Sequence, residues 1–326
     1  MKYICIITVL KNKDIFRDFC SQETTVPVFQ MPWWLDATVG YENWDVVLTF
    51  HEEEIIGAMP YFINSKLGLK VITMPRFISM MGIWIKSGNK KEIDRLHFEQ
   101  KISTEIIEAL PSFDYFNQSF YYTYTNWLPF YWKGFKQTTR YTYVLENLEN
   151  ADLIFKQFAH SKRKNILRSE KTLLVKEDLG IEEFYNFHKL CLQKEGKKID
   201  YSLTLLKTLI EAAYQNNGGK IIYTIDNEGK IHSALFSIWN RVSSFNLINP
   251  IDPEQRNSGS SSLLIKEMLN YVKDKTARFD FEGSMNPYIS ESFRRFGAIQ
   301  KPYFVIYKTN SWLYKLYTLL KQRGQS

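Results

Sequence analysis

The stretch FDFEGSMNPYISESFRRFGAIQKPYFVIYK, residues 279–308, decides the predicted fold. Side chains alternate along a strand, so the residues at its start are expected to face opposite sides of a sheet. Phe279 and Phe281 then lie on one face, and Asp280 and Glu282 lie on the other. The stretch therefore predicts a strand with an apolar side and two carboxylates on the opposite side.

The same stretch continues with a short helix and a second strand. Ser290 suits the N-cap of the helix, and Gly297 suits its C-cap. The run 303–307 is aromatic and β-branched, which is typical of a closing strand. The predicted order is strand, loop, helix, strand.

The first half of the chain contains a second copy of this order. Residues 113–116 match the first strand, residues 130–135 match the helix and its glycine, and residues 141–145 match the closing strand. Each copy follows a predicted hairpin, at 44–63 in the first half and at 220–239 in the second. Because three segments match in the same order, the chain is predicted to contain two related domains.

The predicted domains are residues 1–149 and 150–308. A length of 326 residues accommodates two domains of ordinary size. The second domain begins with a predicted junction helix, 150–173, which carries the densest positive charge in the chain. The predicted amphipathic basic helix at 309–326 either docks on the protein or lies on a membrane surface.

Charge, cysteine and histidine content bound the classes of function. The formal net charge of +7 favours anionic partners such as phosphates, nucleic acid or membrane headgroups, although such a balance also serves solubility alone. The three cysteines are widely spaced without a CxxC motif, and the five histidines form no HExxH motif. No disulfide framework and no metal site are therefore expected, and a reducing compartment fits best.

The N-terminal residues bear on localisation. The run MKYICIITVL, residues 1–10, is short for a signal peptide and has no small-residue cleavage site, so a first β-strand is expected. No stretch approaches the roughly 18 apolar residues of a membrane span. The protein is expected in the cytoplasm, or at the surface of the inner membrane.

A loop before the predicted helix 263–273 is the best phosphate-binding candidate. Arg256 supplies charge, Gly259 permits close backbone approach, and the following serines lie beside the free N–H groups of a helix N-terminus. The loop resembles the Arg/Gln-x-x-Gly-x-Gly/Ala motif by which GNAT acyltransferases hold the coenzyme A pyrophosphate, with serine as the last residue. The residues concerned are Arg256, Asn257, Ser258, Gly259, Ser260 and Ser261. A plain helix cap would have the same composition.

The element order from residue 220 to residue 308 is similar to that of a GNAT domain. Together with KRKNILRSEK, residues 162–171, the stretch 279–298 resembles the FemAB-like branch of that superfamily. The resemblance implies a mixed α/β (α+β) fold of two tandem GNAT-like domains, each a mixed, mostly antiparallel central sheet flanked by helices. It also implies transfer of an acyl or aminoacyl group to an amine, from acyl-CoA such as acetyl-CoA or from aminoacyl-tRNA.

Two carboxylates are candidates for the proton transfer that such a reaction needs. Glu282 is the first choice for the general base, because it lies near the end of the strand after the phosphate loop. Asp280 is expected to share that role or to raise the pKa of Glu282. The alternative is that both carboxylates form ion pairs with nearby arginines, namely Arg278, Arg294 or Arg295.

Other polar side chains are candidates for contact with substrate. Ser284 and Tyr288 are expected to protonate a leaving thiolate or to bind the acceptor. Lys162 and Arg163 on the junction helix, and Arg294, are expected to bind substrate, although most charged helix faces are simply solvated. A separate aromatic set is expected to pack in the core or to line an acceptor groove: Trp127, Phe130, Tyr131 and Trp132.

Three functions stay open on the sequence. The first is an N-acyltransferase that uses acyl-CoA and acts on an amino sugar, an amino acid or a cell-wall or envelope precursor. The second is an aminoacyl-tRNA-dependent transferase of the cell-wall cross-bridge type, with tRNA as partner. The third is a non-catalytic GNAT-like binding protein in envelope biosynthesis. No DNA partner is expected.

Overall fold

A computed structural model describes residues 11–66, 68–88 and 91–316 of the chain. The predicted strand at 1–10 and the part of the predicted C-terminal helix after residue 316 lie outside the described residues. Residues 312–316 are helical. None of the described helices combines the length and the apolar character needed to cross a membrane.

The helices and strands follow one another along the whole described chain. Numbered in chain order, they are α1 Asn12–Gln22, α2 Pro32–Val39, β1 Trp44–His51, β2 Glu54–Lys66, β3 Leu69–Ile72, β4 Trp84–Ile85, α3 Glu92–Ala109, β5 Tyr115–Ser119, α4 Leu128–Trp132, β6 Lys136–Glu146, α5 Ala151–Gln157, α6 His160–Ser169, β7 Leu174–Lys176, α7 Ile181–Lys194, α8 Leu203–Gln215, β8 Gly219–Ile225, β9 Ile231–Trp239, β10 Ser244–Ile248, α9 Ser260–Val272, β11 Arg278–Asp280, α10 Pro287–Arg294 and β12 Ile299–Thr309.

The chain forms two compact units. Unit 1 contains Gln30–Thr138 and the chain from Val305, together with the residues up to Val26; unit 2 contains Thr139–Phe304 and Pro27–Phe29. The divisions fall inside β6 and β12, the closing strands of the two sequence repeats. These divisions differ from the predicted domain boundaries at 149/150 and 308/309. The predicted boundaries describe the sequence repeats and stay a prediction.

The two units share one order of elements. Unit 1 has the antiparallel hairpin β1–β2, then β3 with β5 parallel beside it after α3. Unit 2 has the antiparallel hairpin β8–β9, then β10 with β11 parallel beside it after α9. In chain order a short helix and a closing strand follow each set, α4 and β6 after β5, and α10 and β12 after β11. Most of β6 belongs to unit 2, and residues 305–309 of β12 belong to unit 1. The predicted fold class, mixed sheets flanked by helices in two similar halves, is confirmed.

The core of unit 2 fixes the position of α9. Leu235 and Trp239 of β9 and Phe279 of β11 are buried in one cluster with the apolar side chains of α9. Gly219 of β8 lies close to Ala213 of α8, which places α8 on the opposite face. Helices therefore cover both faces of this sheet, and α9 packs on the strands β8 and β9.

The predicted junction helix 150–173 is not continuous. It consists of α5 and α6, separated at Phe158 and Ala159, so the prediction of one helix is wrong. The ring of Phe158 packs edge-on against Phe296 with centroids 5.0 Å apart, and the Ala159 N–H donates to the Arg295 carbonyl at 2.8 Å. These contacts with the end of α10 take the place of the helical hydrogen bonds lost at the break.

Candidate functional site

Two parallel strands of unit 2 separate beside the candidate site. β10 and β11 pair only at Ser244–Phe279 and Phe245–Asp280. β11 ends at Asp280, and the next N–H, that of Phe281, donates to a carbonyl of β6 at 3.0 Å. β10 runs on to Ile248, so a gap opens between the two strands directly after Asp280.

Asp280 is a buried carboxyl with one satisfied oxygen. Its side chain has no exposed surface, and its Oδ1 accepts hydrogen bonds from the Thr142 hydroxyl and, at 2.8 Å, from the Glu282 N–H. Its Oδ2 is buried and has no hydrogen-bond partner among the described residues. Burial raises the pKa of Asp280 to about 7, against the two hydrogen bonds that lower it. The group is therefore poised to exchange a proton near neutral pH.

The backbone after Asp280 turns sharply. Glu282 has a φ of 67° and Gly283 has a φ of 74°, both in the left-handed region. The hydrogen bond from the Glu282 N–H to Asp280 closes this turn, a common use of an aspartate side chain. A Cβ on Gly283 would lie 2.7 Å from the Tyr141 carbonyl oxygen, so the turn lies directly on β6.

We expect Gly283→Ala to destabilise unit 2 by about 1–3 kcal/mol more than Gly229→Ala, because it adds overpacking to backbone strain. Gly229 is the matched control, since its φ is 83° and nothing lies within 4 Å of its added Cβ. Urea unfolding of the two variants measures the difference. Equal losses of stability in the two variants would show that the Tyr141 carbonyl moves enough to accommodate the added methyl group.

The three arginines named as ion-pair partners each pair with another carboxylate. Arg278 pairs with Glu146, and both Arg294 and Arg295 pair with Glu291. The alternative of an ion pair at Asp280 is therefore wrong, because its hydrogen bonds come from a hydroxyl and a backbone N–H.

Glu282 and Tyr303 lie in the same neighbourhood as Asp280. Burial raises the pKa of Tyr303, Arg140 lowers it, and the charges of Asp280 and Glu282 raise it further. Glu282 is partly buried. Ser284 accepts the Asn286 N–H at 3.0 Å, a loop contact. Sequence reasoning missed Thr142, Arg140 and Tyr303, although a threonine in the middle of a buried strand is a detectable signal.

The N-terminus of α9 forms the second part of the site. The helix begins at Ser260, not at Leu263, so the serines of the predicted phosphate loop form its first turn. Gly259 has a φ of 79°, and a Cβ there would collide with Ser169 of α6. The first N–H groups of a helix and its dipole attract anions, which makes this turn a candidate anion site.

Lys162 lies at this helix end. Its Nζ donates to Ser292 of α10 at 3.0 Å and to Ser262 of α9 at 3.3 Å, and it lies 4.2 Å from the ring centroid of Phe296. Within the part of the chain that the structure describes, it forms no ion pair with a carboxylate. Burial, and then the charge of Arg295, lower the pKa of Lys162 to about 8. A bound anion would offset both the burial and the charge of Arg295, and would raise the pKa of Lys162.

The other residues of the predicted phosphate loop face α6 and α7. Arg256 pairs with Glu195, the Asn257 carbonyl accepts from Arg168 at 2.5 Å, and the Ser258 carbonyl accepts from the Ser169 hydroxyl at 2.5 Å. These contacts hold the loop against α6. The geometry therefore brings Lys162 and the α9 serines together, and directs the Arg256 side chain elsewhere.

The remaining predicted ligands lie on α6 and α10. The Arg163 guanidinium donates to the Lys156 carbonyl at 3.1 Å, the Arg294 guanidinium pairs with Glu291, and Tyr288 is 86% exposed. None of these contacts brings them to Asp280 or Lys162.

The N-cap prediction for α10 is wrong, because α10 begins at Pro287. The Asn286 side chain caps it by accepting the Tyr288 and Ile289 N–H groups. Ser290 instead bonds the Tyr143 hydroxyl.

A buried polar stripe lies on the face of the sheet that α9 covers, because its residues alternate in phase with Leu235 and Trp239. Ser237 and Asn246 are cross-strand neighbours on β9 and β10, and Ser244 lies two residues from Asn246. The hydroxyls of Ser237 and Ser244 and the Oδ1 atoms of Asn246 and Asn249 are buried without hydrogen-bond partners among the described residues. Sequence reasoning missed this stripe, although polar residues in SSFNLIN interrupt an otherwise apolar strand.

Among the described residues, no group of three or more His, Cys, Asp or Glu side chains has metal-binding geometry. The candidate site consists of a helix end that is a candidate for anion binding, a polar strand and a buried carboxyl where two strands stop pairing. All of these belong to unit 2.

Comparison with known proteins tests the fold. No protein-family model and no curated protein sequence matches the chain. A crystal structure of FemX matches with a TM-score of 0.66 at 12% identity, covering 90% of this chain and 95% of that one. A protein of unknown function from Bacteroides thetaiotaomicron matches with a TM-score of 0.57 at 12% identity, covering 92% and 97%. The C-terminal domain of a putative lysylphosphatidylglycerol synthetase from Agrobacterium fabrum matches with a TM-score of 0.50 at 8% identity, covering 85% and 87%. At these identities the likeness is one of fold, and the chain has the FemAB-like, tandem GNAT fold that the sequence resemblance implied.

Proposed function

We propose that unit 2 transfers an acyl or aminoacyl group from a phosphate-bearing donor to an amine. The observation that carries the proposal is the unpaired, fully buried Oδ2 of Asp280 beside the gap between β10 and β11. A buried acceptor without a donor is costly, and a bound amine N–H supplies that donor. The solved structure of FemX and the putative lysylphosphatidylglycerol synthetase domain, which share the fold, agree with a transferase.

The reaction needs one proton acceptor. The amine nitrogen attacks the carbonyl carbon of the donor, a C–N bond forms, and the bond from that carbon to sulfur or ester oxygen breaks. The proton that the amine loses moves to Asp280 Oδ2, and the leaving thiolate or alkoxide takes up a proton in turn. A carboxyl with a pKa of about 7 suits this exchange at neutral pH. Glu282, the first choice from the sequence, is retained as a residue that orients Asp280 through its N–H.

The donor is held by its phosphates. Lys162 and the first turn of α9 present positive charge and N–H groups to an anion, and the polar stripe of Ser237, Ser244 and Asn246 offers hydrogen bonds to amide groups further along the donor. The acyl end of the donor is placed where β10 and β11 stop pairing, directly after Phe245 and Asp280. An acyl-CoA donor fits these features.

Aminoacyl-tRNA is the second candidate donor. Exposed Lys164 and Lys171 extend the positive charge of α6 beyond Lys162, which suits a polyanion. The Arg256–Glu195 pair also leaves the coenzyme A-type loop without its expected free cation.

A thermal-shift titration distinguishes the donors. Acetyl-CoA, a long-chain acyl-CoA and bulk tRNA are each added to the wild type, to Lys162→Met and to the control Lys164→Met. Ligand at a hundred times its Kd is expected to stabilise the wild type by about 2.7 kcal/mol. A response to acyl-CoA that Lys162→Met loses and Lys164→Met keeps supports the first donor; a response to tRNA alone supports the second.

Transfer itself is measured with the donor that binds and a panel of amines that includes amino sugars, amino acids and cell-wall precursors. Thiol release or deacylation of tRNA reports turnover. The absence of both binding and transfer would overturn the proposal in favour of a non-catalytic binding protein.

A further inference from the structure

The aromatic set around α4 in unit 1 is only partly core. Phe130 is fully buried, as predicted, whereas Tyr131 is 60% and Trp132 is 58% exposed. The prediction of core packing is wrong for these two rings. Leu128 on the same short helix is 43% exposed. Exposed tryptophan and leucine side chains on one short helix indicate a contact surface.

A second exposed apolar group follows β12. Trp312 is 70%, Leu313 is 47% and Leu316 is 46% exposed, whereas Tyr314 between them is buried and stacks on Tyr115 with centroids 4.3 Å apart. The stacking holds this segment against the start of β5. Its other side chains are therefore presented outward on a fixed backbone.

Backbone and ring contacts bring the two groups to one end of unit 1. The Lys308 ammonium donates to the Lys133 carbonyl, directly after α4, at 2.8 Å and lies 4.9 Å from the Phe135 ring centroid. The Asn310 amide donates to the Phe113 carbonyl at 3.1 Å, and Phe113 contacts Phe135 with centroids 6.1 Å apart. We call the six exposed side chains at this end the aromatic end: Leu128, Tyr131, Trp132, Trp312, Leu313 and Leu316.

Four lysines lie within four residues of these side chains along the chain: Lys133, Lys136, Lys308 and Lys315. Two carboxylates face the same region: Glu108 pairs with Lys133, and Asp114 accepts the Lys70 N–H at 2.8 Å. Positive charge is therefore in excess where the apolar rings are exposed.

We propose that the aromatic end docks unit 1 on the surface of an anionic lipid bilayer. Tryptophan and tyrosine place their rings at the level of the headgroups, and leucine reaches the acyl boundary. Each lysine near an anionic surface strengthens binding by about fivefold. The exposed rings suit the apolar boundary of the bilayer, and the lysine ammonium groups suit its negatively charged headgroups.

Vesicle co-sedimentation of the full chain tests the proposal. Vesicles of phosphatidylcholine mixed with phosphatidylglycerol are compared with vesicles of phosphatidylcholine alone. The wild type is expected to bind the mixed vesicles, and to bind them less as salt is raised. The triple variant Tyr131→Ser, Trp132→Ser, Trp312→Ser is expected to lose about tenfold or more in partitioning, since binding scales with buried apolar area.

The control is a triple variant of exposed apolar residues elsewhere, Ile93→Ser, Leu174→Ser and Leu190→Ser. It is expected to bind like the wild type, and both triple variants are expected to keep the wild-type unfolding transition. Equal loss in both variants, or no vesicle binding by the wild type, would overturn the proposal. A concentration-dependent dimer that only the aromatic variant abolishes would also overturn it, and would assign the aromatic end to a second copy of the chain.

Discussion

Replacing Asp280 by asparagine is expected to lower acyl transfer by about 10²–10⁴-fold, the usual contribution of a positioned base. The amide keeps an oxygen for the Thr142 hydroxyl and the Glu282 N–H, so the turn after β11 is retained. The loss is expected in kcat, because the donor phosphates are held elsewhere. Turnover at the wild-type level would exclude Asp280 as the proton acceptor, while leaving the donor-binding results unaffected.

The same substitution is expected to stabilise the protein at high pH. Burial raises the pKa of Asp280 from 3.8 to about 7, so between these values the folded state holds a proton that the unfolded chain has released. Stability therefore falls as pH rises through this window. Above about pH 7, the buried charge lowers the free energy of unfolding by on the order of 4 kcal/mol, since each unit of pKa shift corresponds to about 1.36 kcal/mol. Asp280→Asn is expected to raise the free energy of unfolding by this amount at pH 8 and to change it little at pH 4.

Urea unfolding at pH 4 and pH 8 measures this effect, with Asp274→Asn as the matched control. Asp274 is exposed just after α9, so its replacement is expected to leave both stability and turnover unchanged. In the wild type, kcat/KM is expected to rise about tenfold per pH unit and to level off near pH 7. A profile that is flat between pH 5 and 8 would contradict a base with this pKa.

Replacing Lys162 by methionine is expected to raise the KM for the donor by about 10- to 100-fold, since a hydrogen bond to a charged group contributes about 1.5–3 kcal/mol. The change in kcat is expected to be smaller, because Lys162 contacts the helix end and not the reacting carbonyl. Lys162→Arg keeps the charge and is expected to retain most of the affinity. For an acyl-CoA donor, Lys164→Met is the control on the same helix.

The pH dependence of donor binding distinguishes a charge effect from a packing effect. Burial and Arg295 lower the pKa of Lys162 to about 8, so the wild-type ammonium loses its proton above that value. Donor affinity is then expected to fall above pH 8 in the wild type and to stay constant in Lys162→Arg, because arginine remains protonated. A structural role alone would give no such difference.

Much of the fold could be predicted from the sequence because the signals are local or repeated. The two hairpins and the two copies of strand, short helix and closing strand lie close to their expected positions. Alternation placed Phe279 and Phe281 in the core, where both are buried. Gly259 and the serines that follow it marked a helix N-terminus, which is also a short-range pattern.

The chemistry of the candidate site depends on partners that are distant along the chain. Thr142 lies 138 residues from Asp280, and Lys162 lies 100 residues from Ser262 and 130 from Ser292. A local sequence pattern does not show which distant side chains come into contact. The pKa of a group depends on its burial and on neighbouring charges, so it cannot be predicted from such a pattern either. The sequence by itself thus determined the elements, their order and the candidate carboxylates. Only the tertiary structure decided that Asp280 is the buried one and that Lys162 lies at the helix end, because both depend on long-range packing.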